Sequence, residues 1–470
     1  MSSPGIAPAE LPAAAPARPR SFHLVTLGCP KNDVDSDKLA GTLTAQGYHR
    51  CEDPALADLV VVNTCAFIEA ARQESVDTIL ELAETKRAGA ELVVTGCMAE
   101  RYGTELADAL GEVDRVAPFG ASLTGTLPVH LGPVRRDVNG VPRLDLLRLP
   151  RPAAERPWAY VKVAEGCDRR CGFCAIPSFR GPQRSRDHDE LLAEVEALDV
   201  REVVLVAQDL ASYGRDLGRS GAIVGLVEAV AARVDWVRLL YLYPSDLDDR
   251  LVDAILATGV PYFDLSLQHV SRPLLRRMRR WGDGARFAER IGGIRAAAPG
   301  STFRSNFIVG YPGETEDDHG ALCEFVEAVR LDWCGFFAYS REEGTYAAGL
   351  EGSVDPAVVA ERLSELTELQ DRITAEGRRA MIGQRIEVLV DEPGVARSRG
   401  EAPEIDGIVA VPDHLPAGDM VEVLVVDSAG PDLHATADPL DATADHVDAP
   451  ADPLDATAPV SRTAPADEHR

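Results

Sequence analysis

The sequence predicts a multidomain α/β chain: an N-terminal parallel α/β domain, a partial TIM-like barrel of six βα units, and a small C-terminal all-β barrel. Three observations carry this reading. Short Val-rich runs alternate with helical stretches from about Ser21, the alternation restarts and lengthens at Trp158, and the hydrophobic period changes to two after Arg385. With 470 residues, the chain is also too long for one hydrophobic core.

Residues 1–20 are rich in Pro and Ala, with Arg18 and Arg20 at their end. A secretory signal places its charge before an apolar run, so this stretch reads as a disordered extension of a cytoplasmic protein. In residues 21–131, Phe22–Leu27, Leu59–Asn63 and Leu92–Thr95 are apolar runs suited to buried parallel strands. Helical segments follow them at about Val34–Gln46, Ile68–Glu84 and Met98–Leu110. Residues 132–157, heavy in Pro, Arg and Leu, read as a linker or hairpin.

Residues 158–380 hold strand candidates at Tyr160–Ala164, Val203–Val206, Val237–Leu242, Tyr262–Leu267, Phe303–Val309 and Gly335–Tyr339. Helical stretches such as Asp189–Leu198, Leu247–Ala257 and Thr315–Val329 separate them. Such a barrel keeps its active site at the C-terminal strand ends. A long helix then begins, with Asp355 as cap, Pro356 in its first turn, and an apolar stripe of Val359, Leu363, Leu366, Leu369 and Ile373. In residues 381–430 the runs Ile386–Val390, Ile405–Val411 and Val421–Val426 alternate with period two, which predicts a five-stranded barrel. Residues 431–470 repeat Ala-Asp-Pro-Leu-Asp-Ala-Thr-Ala from Ala437 and Ala451 and read as an acidic, disordered tail.

The formal net charge is −28, and no apolar run is long enough to span a membrane. The tail holds nine acids and two arginines, so the body stays strongly acidic without it. Tight nonspecific binding to nucleic acid needs Lys and Arg at the phosphates and is disfavoured. Between Met381 and Gly430, ten acids face three arginines, which suits a basic protein partner better than RNA; an acidic proteome would give the same count.

Nine cysteines in a reducing compartment are packing residues or metal ligands rather than disulfides. Cys167, Cys171 and Cys174 form a C-x₃-C-x₂-C loop just after the first barrel strand. Zinc would need further ligands, for which only His188 lies near, and three packing cysteines would be unusual in so polar a loop. An iron–sulfur cluster held by three thiolates keeps one iron open to an exchangeable ligand. Cys29, Cys65 and Cys97 are scattered, yet each follows a predicted parallel strand by one or two residues. All C-terminal strand ends of a parallel sheet share one edge, so these thiols converge unless they are packing cysteines at equivalent places. Gly28 and Gly96 allow close approach there. Cys51, Cys323 and Cys334 show no such relation.

The C-x₃-C-x₂-C loop, with Phe173 before its last cysteine, resembles the radical S-adenosylmethionine superfamily. The body from Ser21 to about Val426 resembles the methylthiotransferases, which join an N-terminal cluster domain, a radical barrel and a TRAM-type β-barrel. The resemblance implies two 4Fe-4S clusters, one on Cys29, Cys65 and Cys97 and one on Cys167, Cys171 and Cys174. It further implies S-adenosylmethionine as methyl donor and radical source, and an external one-electron donor such as a flavodoxin or ferredoxin. Gln208, Ser245, Gln268 and Asn306, read as lying at barrel-strand ends, are candidates for the S-adenosylmethionine pocket, with loop hydrogen bonding as the competing role; no catalytic side chain is singled out. His269 is read as a satisfied histidine. Leu27-Gly-Cys-Pro-Lys-Asn-Asp-Val-Asp-Ser36 and Ala402-Pro-Glu-Ile-Asp-Gly407 are similar to the family's ribosomal-protein branch. That branch modifies an aspartate β-carbon on the twelfth small-subunit ribosomal protein, and the alternative branch acts on tRNA adenosine-37.

Overall fold

A computed structural model describes residues 20–124, 145–149 and 151–437. The first domain comprises β1 (Arg20–Thr26), α1 (Pro30–Ala45), β2 (Tyr48–Arg50), β3 (Leu59–Thr64), α2 (Glu69–Thr85), β4 (Glu91–Gly96), α3 (Cys97–Ala109) and β5 (Arg115–Ala117). Its sheet has the order β2-β1-β3-β4-β5 and every pairing is parallel. β3 is buried along its whole length because both faces are covered. Val60 and Val62 pack with Ile79 of α2 and Met98 of α3, while Leu59 and Val61 pack with Leu39 and Leu43 of α1. Hydrophobic burial on both faces is what a Val-rich strand supplies.

The second domain runs through β6 (Trp158–Lys162), β7 (Ala164–Glu165), α4 (Ile176–Arg180), β8 (Arg184–Ser185), α5 (His188–Leu198), β9 (Glu202–Val206), α6 (Ala222–Ala231), β10 (Trp236–Leu239) and α7 (Asp249–Ala257). It continues with β11 (Tyr262–Gln268), α8 (Arg272–Arg277), α9 (Gly284–Ala297), β12 (Thr302–Val309), α10 (Glu316–Val329), β13 (Trp333–Ala338) and α11 (Pro356–Arg379). Two three-stranded parallel sheets, β6-β9-β10 and β11-β12-β13, join through a parallel bridge between Leu242 and Leu265. The result is the open six-stranded barrel that the alternation predicts. Along β12, Phe303, Phe307 and Val309 point outward into the helix-covered core, which leaves Arg304 and Asn306 facing the interior. Asp355 caps α11 by accepting from the Ala357 N–H, with Pro356 in the first turn as expected.

β14 (Arg385–Glu392), β15 (Val395–Ser398), β16 (Val409–Ala410), β17 (Met420–Ala429) and β18 (Asp432–Thr436) close a five-stranded barrel in the order β14-β15-β16-β18-β17. It seats on the N-terminal mouth of the larger barrel. Arg397 donates to Glu202 at 2.7 Å, Trp333 Nε1 to the Gly400 carbonyl at 2.8 Å, and the Tyr262 hydroxyl to Asp406 at 2.6 Å. No described helix is long and apolar enough to cross a membrane.

Several expectations need correction. The tail does not begin at residue 431, because Asp432–Thr436 is the fifth strand of the small barrel. Arg20 belongs to β1 rather than to an extension. The extension (1–19), the end of the expected first domain (125–131), most of the linker (132–144 and 150) and the repeats from residue 438 lie outside the described residues. Ile405–Ile408 is not strand: Asp406 turns inward to accept from the Ala402 N–H, and only Val409–Ala410 pairs. β2 and β5 escaped notice because each has three residues at a sheet edge, too few to show a period.

Candidate functional site

Cys29 sits at the N-cap of α1, Cys65 just past β3, and Cys97 opens α3, so the three thiols meet at the C-terminal edge of the first sheet. Gly28 makes the meeting possible. At φ +101° a Cβ there would stand 2.8 Å from the Cys65 Cβ and 2.9 Å from its Sγ. Burial, then the neighbouring Cys29 and Cys97, pushes the Cys65 thiol up to about 12. Burial also raises the Cys97 thiol, although Arg180 works against it. Two buried thiols held neutral beside a third cysteine form a donor set that a shared multivalent cation would relieve.

In the barrel, Cys167, Cys171 and Cys174 follow β7 on a loop held at both ends. The Cys167 N–H donates to the Gly181 carbonyl at 3.1 Å, and the Gly172 N–H to the Met278 carbonyl at 2.8 Å. A Cβ on Gly172 would lie 2.9 Å from the Tyr311 hydroxyl, so the loop presses directly on the barrel wall. Burial first, with help from the other two thiols, pushes Cys174 up to about 12, and burial likewise brings Cys167 to about 11. Arg280 donates to the Cys171 sulfur at 3.3 Å. The guanidiniums of Arg280 and Arg169 lie 3.9 and 3.8 Å from the Tyr243 ring centroid. This triad has the same donor chemistry as the first, and both fit a cluster.

The other predicted residues divide. Gln208 follows β9 and donates to Glu165 at 2.8 Å, with its own carbonyl oxygen buried and unpartnered. Gln268 ends β11 at φ +70°. Asn306 is not at a strand end; it lies within β12 beside Gly335, facing the interior with its Oδ1 unpartnered. Ser245 is exposed and donates to Asp246 at 3.1 Å. His269 is fully buried; its Nδ1 accepts from the Ser271 N–H and its Nε2 has no partner, so it is only half satisfied. Cys323 is less plain than its spacing implies, with its sulfur 3.5 Å from His319 Nε2. Glu314 serves its own loop: it accepts from the Gly310 and Tyr311 N–H groups and pairs with Arg362.

Sequence reasoning missed the charged groups between the triads. Lys162, on β6, donates to Glu165 at 2.7 Å and to Asp35 of α1, with no exposed side-chain surface. Arg180 donates to Asp35, Glu165, Asn32 and the Cys97 sulfur. Arg180 pairs the two domains 83 residues apart, beyond any local pattern; the only available signal was its place shortly after Cys174. The charge reading of the small barrel also changes, since Asp391, Glu401 and Asp406 turn inward to Arg397, Arg378 and Arg304. Three of its ten acids are therefore internal partners rather than surface charge.

Residues 21–118 match uncharacterized protein family UPF0004, residues 161–326 the Radical SAM superfamily, and residues 382–437 the TRAM domain. A Cutibacterium acnes protein named ribosomal protein uS12 methylthiotransferase RimO is 43% identical, over 88% of this chain and 97% of its own. Relatives of the same name from Salinispora tropica and Moorella thermoacetica are each 43% identical, covering 90% and 85% of this chain and 96% and 95% of their own. Among solved structures, the radical S-adenosylmethionine methyltransferase TsrM from Kitasatospora setae aligns at a TM-score of 0.45 and 14% identity, over 77% of this chain and 90% of that one.

Proposed function

The chain belongs to the RimO family of radical S-adenosylmethionine methylthiotransferases, and we propose that it adds a methylthio group to the β-carbon of an aspartate on ribosomal protein uS12. The full-length likeness to proteins of that name, at 43% identity, carries the substrate assignment. No relative reported above favours tRNA adenosine-37.

In this reading Cys167, Cys171 and Cys174 hold one 4Fe-4S cluster and Cys29, Cys65 and Cys97 a second. When bound, the first supplies, with S-adenosylmethionine, a carbon radical that removes hydrogen from the target carbon, and the second supplies the sulfur. The geometric observation that supports two clusters working together is the reach of Arg180, from the barrel loop, to the Cys97 sulfur at 3.0 Å. The protein's own residues then orient and insulate. Arg280 and Arg169 flank Tyr243 beside the barrel triad, and Arg169 is fixed by Asp209 at 2.6 Å. The unpartnered oxygens of Gln208 and Asn306 stay available to a ligand at the barrel interior. Electrons come from an external one-electron donor of the flavodoxin or ferredoxin class, and the acidic exterior suits a basic protein substrate.

Mass spectrometry of uS12 from a deletion strain tests the assignment. The methylthio mass should vanish and return on complementation. Its retention, with loss of a methylthio group from tRNA instead, would transfer the assignment to the other branch.

A further inference from the structure

Arg180 is buried, and each edge of its guanidinium has a different task. Nη1 serves two carboxylates, Asp35 at 3.1 Å and Glu165 at 3.0 Å. Those two acids, together with Lys162 and Arg180, form a charge-balanced group of four. Nη2 goes instead to a neutral amide oxygen, Asn32 Oδ1 at 2.9 Å, and to the Cys97 sulfur at 3.0 Å. Asn32 cannot easily turn away, because its Nδ2 donates to the Leu27 and Thr64 carbonyls at 2.8 and 3.2 Å. The Phe119 ring, 4.2 Å from the guanidinium carbon, covers one face. The Asn of the Cys-Pro-Lys-Asn motif thus aims a barrel arginine at a first-domain sulfur.

We propose that Arg180 is a positioning residue that tunes the N-terminal cluster: its charged hydrogen bond to the Cys97 thiolate raises that cluster's reduction potential and fixes it relative to the barrel cluster. The proposal rests on the reading of Cys97 as a cluster ligand. A donor aimed at a ligating sulfur stabilises the more negative, reduced state, and such outer partners commonly set a cluster's potential. The effect is strong here because the pair is buried, where charge-assisted hydrogen bonds are least screened. Since Arg180 ends the short helix that begins two residues after Cys174, the same side chain holds the two cluster loops in register.

The test is an EPR-monitored redox titration of the full-length, anaerobically reconstituted holoenzyme. Dithionite serves as reductant, one electron entering each cluster, and wild type is compared with Arg180→Gln and Arg180→Lys. The barrel signal is identified as the one that S-adenosylmethionine perturbs. Arg180→Gln should shift the N-terminal midpoint to more negative potential, leave the barrel midpoint in place, and retain iron and sulfide. Arg180→Lys, which keeps the charge but not the forked geometry, should shift it less. An unmoved N-terminal midpoint overturns the proposal, as does equal displacement of both midpoints, which would mark general loosening. Should Arg180→Gln fail to fold or assemble, Arg180→Lys decides by the same criteria. Cys97→Ala separates the two failures: full iron retention in that variant removes Cys97 from the ligand set. Loss of the N-terminal cluster in Cys97→Ala beside unmoved midpoints in the arginine variants removes only the role of Arg180.

Discussion

Arg101 of α3 donates to the carboxylate of Glu342, just beyond β13, at 2.6 Å, so the first domain is tied to the last barrel strand as well as to the first. Arg72 of α2 reaches the same carboxylate oxygen at 2.6 Å, and the Glu69 N–H donates to the adjacent Ser340 hydroxyl at 3.1 Å. With Lys162 and Asp35 on the other side, the N-terminal domain spans the gap between β6 and β13. Burial works against the Glu342 charge, but Ser340, Arg101 and Arg72 hold its carboxyl below the usual value of 4.5. The contribution is therefore present above that value and lost as the pH falls through the native one. Glu342→Gln should cost about 2 kcal/mol in urea unfolding at neutral pH, the scale of a hydrogen bond to a charged group. Limited proteolysis should show the N-terminal domain released earlier.

Gly28→Ala adds both backbone strain and a clash with Cys65. Gly47, at φ +86° with nothing within 4 Å of a built Cβ, is the natural control. Gly47→Ala should cost about 1 kcal/mol and keep its iron. Gly28→Ala should cost more and lose the iron of the N-terminal site, as iron analysis after reconstitution would reveal.

The two triads should separate in function. Cys171→Ala is expected to abolish reductive cleavage of S-adenosylmethionine, read as 5′-deoxyadenosine. Cys65→Ala should spare cleavage and stop sulfur transfer to uS12. Equal loss of both activities in Cys65→Ala would contradict the division of labour between the triads.

Burial lowers the His269 pKa from 6.5 to about 4, so the native ring is neutral where the unfolded one takes a proton. Its contribution to stability is complete above about 6.5 and is lost as the pH falls toward 4, by at most about 1.4 kcal/mol per pH unit. His269→Asn should flatten that part of the curve, measurable by urea titration at pH 5 and 7.

The barrel thiols were legible because their geometry is local: a loop of eight residues after one strand announces itself by spacing. Cys29, Cys65 and Cys97 needed the inference that parallel strands share an edge, and their sheet order bears on it directly. Asp35 and Lys162 were opaque. A lysine within an apolar strand and an acid on a helix read as surface charge until the fold brings them together across 127 residues. The acids of the small barrel misled in the opposite sense, since counting cannot tell Asp406 under Tyr262 from Asp413 in solvent.

Glu202 is shared between Arg238 of the large barrel and Arg397 of the small one, and all three side chains are almost fully enclosed. A chimaera joined after α11 to a module without that arginine would leave the carboxylate with one arginine, and a poorly matched module would also cost Trp333 and Tyr262 their partners. The unit that can be transplanted between relatives is thus barrel plus module, and a donor module should be chosen for carrying an arginine at the place of Arg397 before any other likeness is considered.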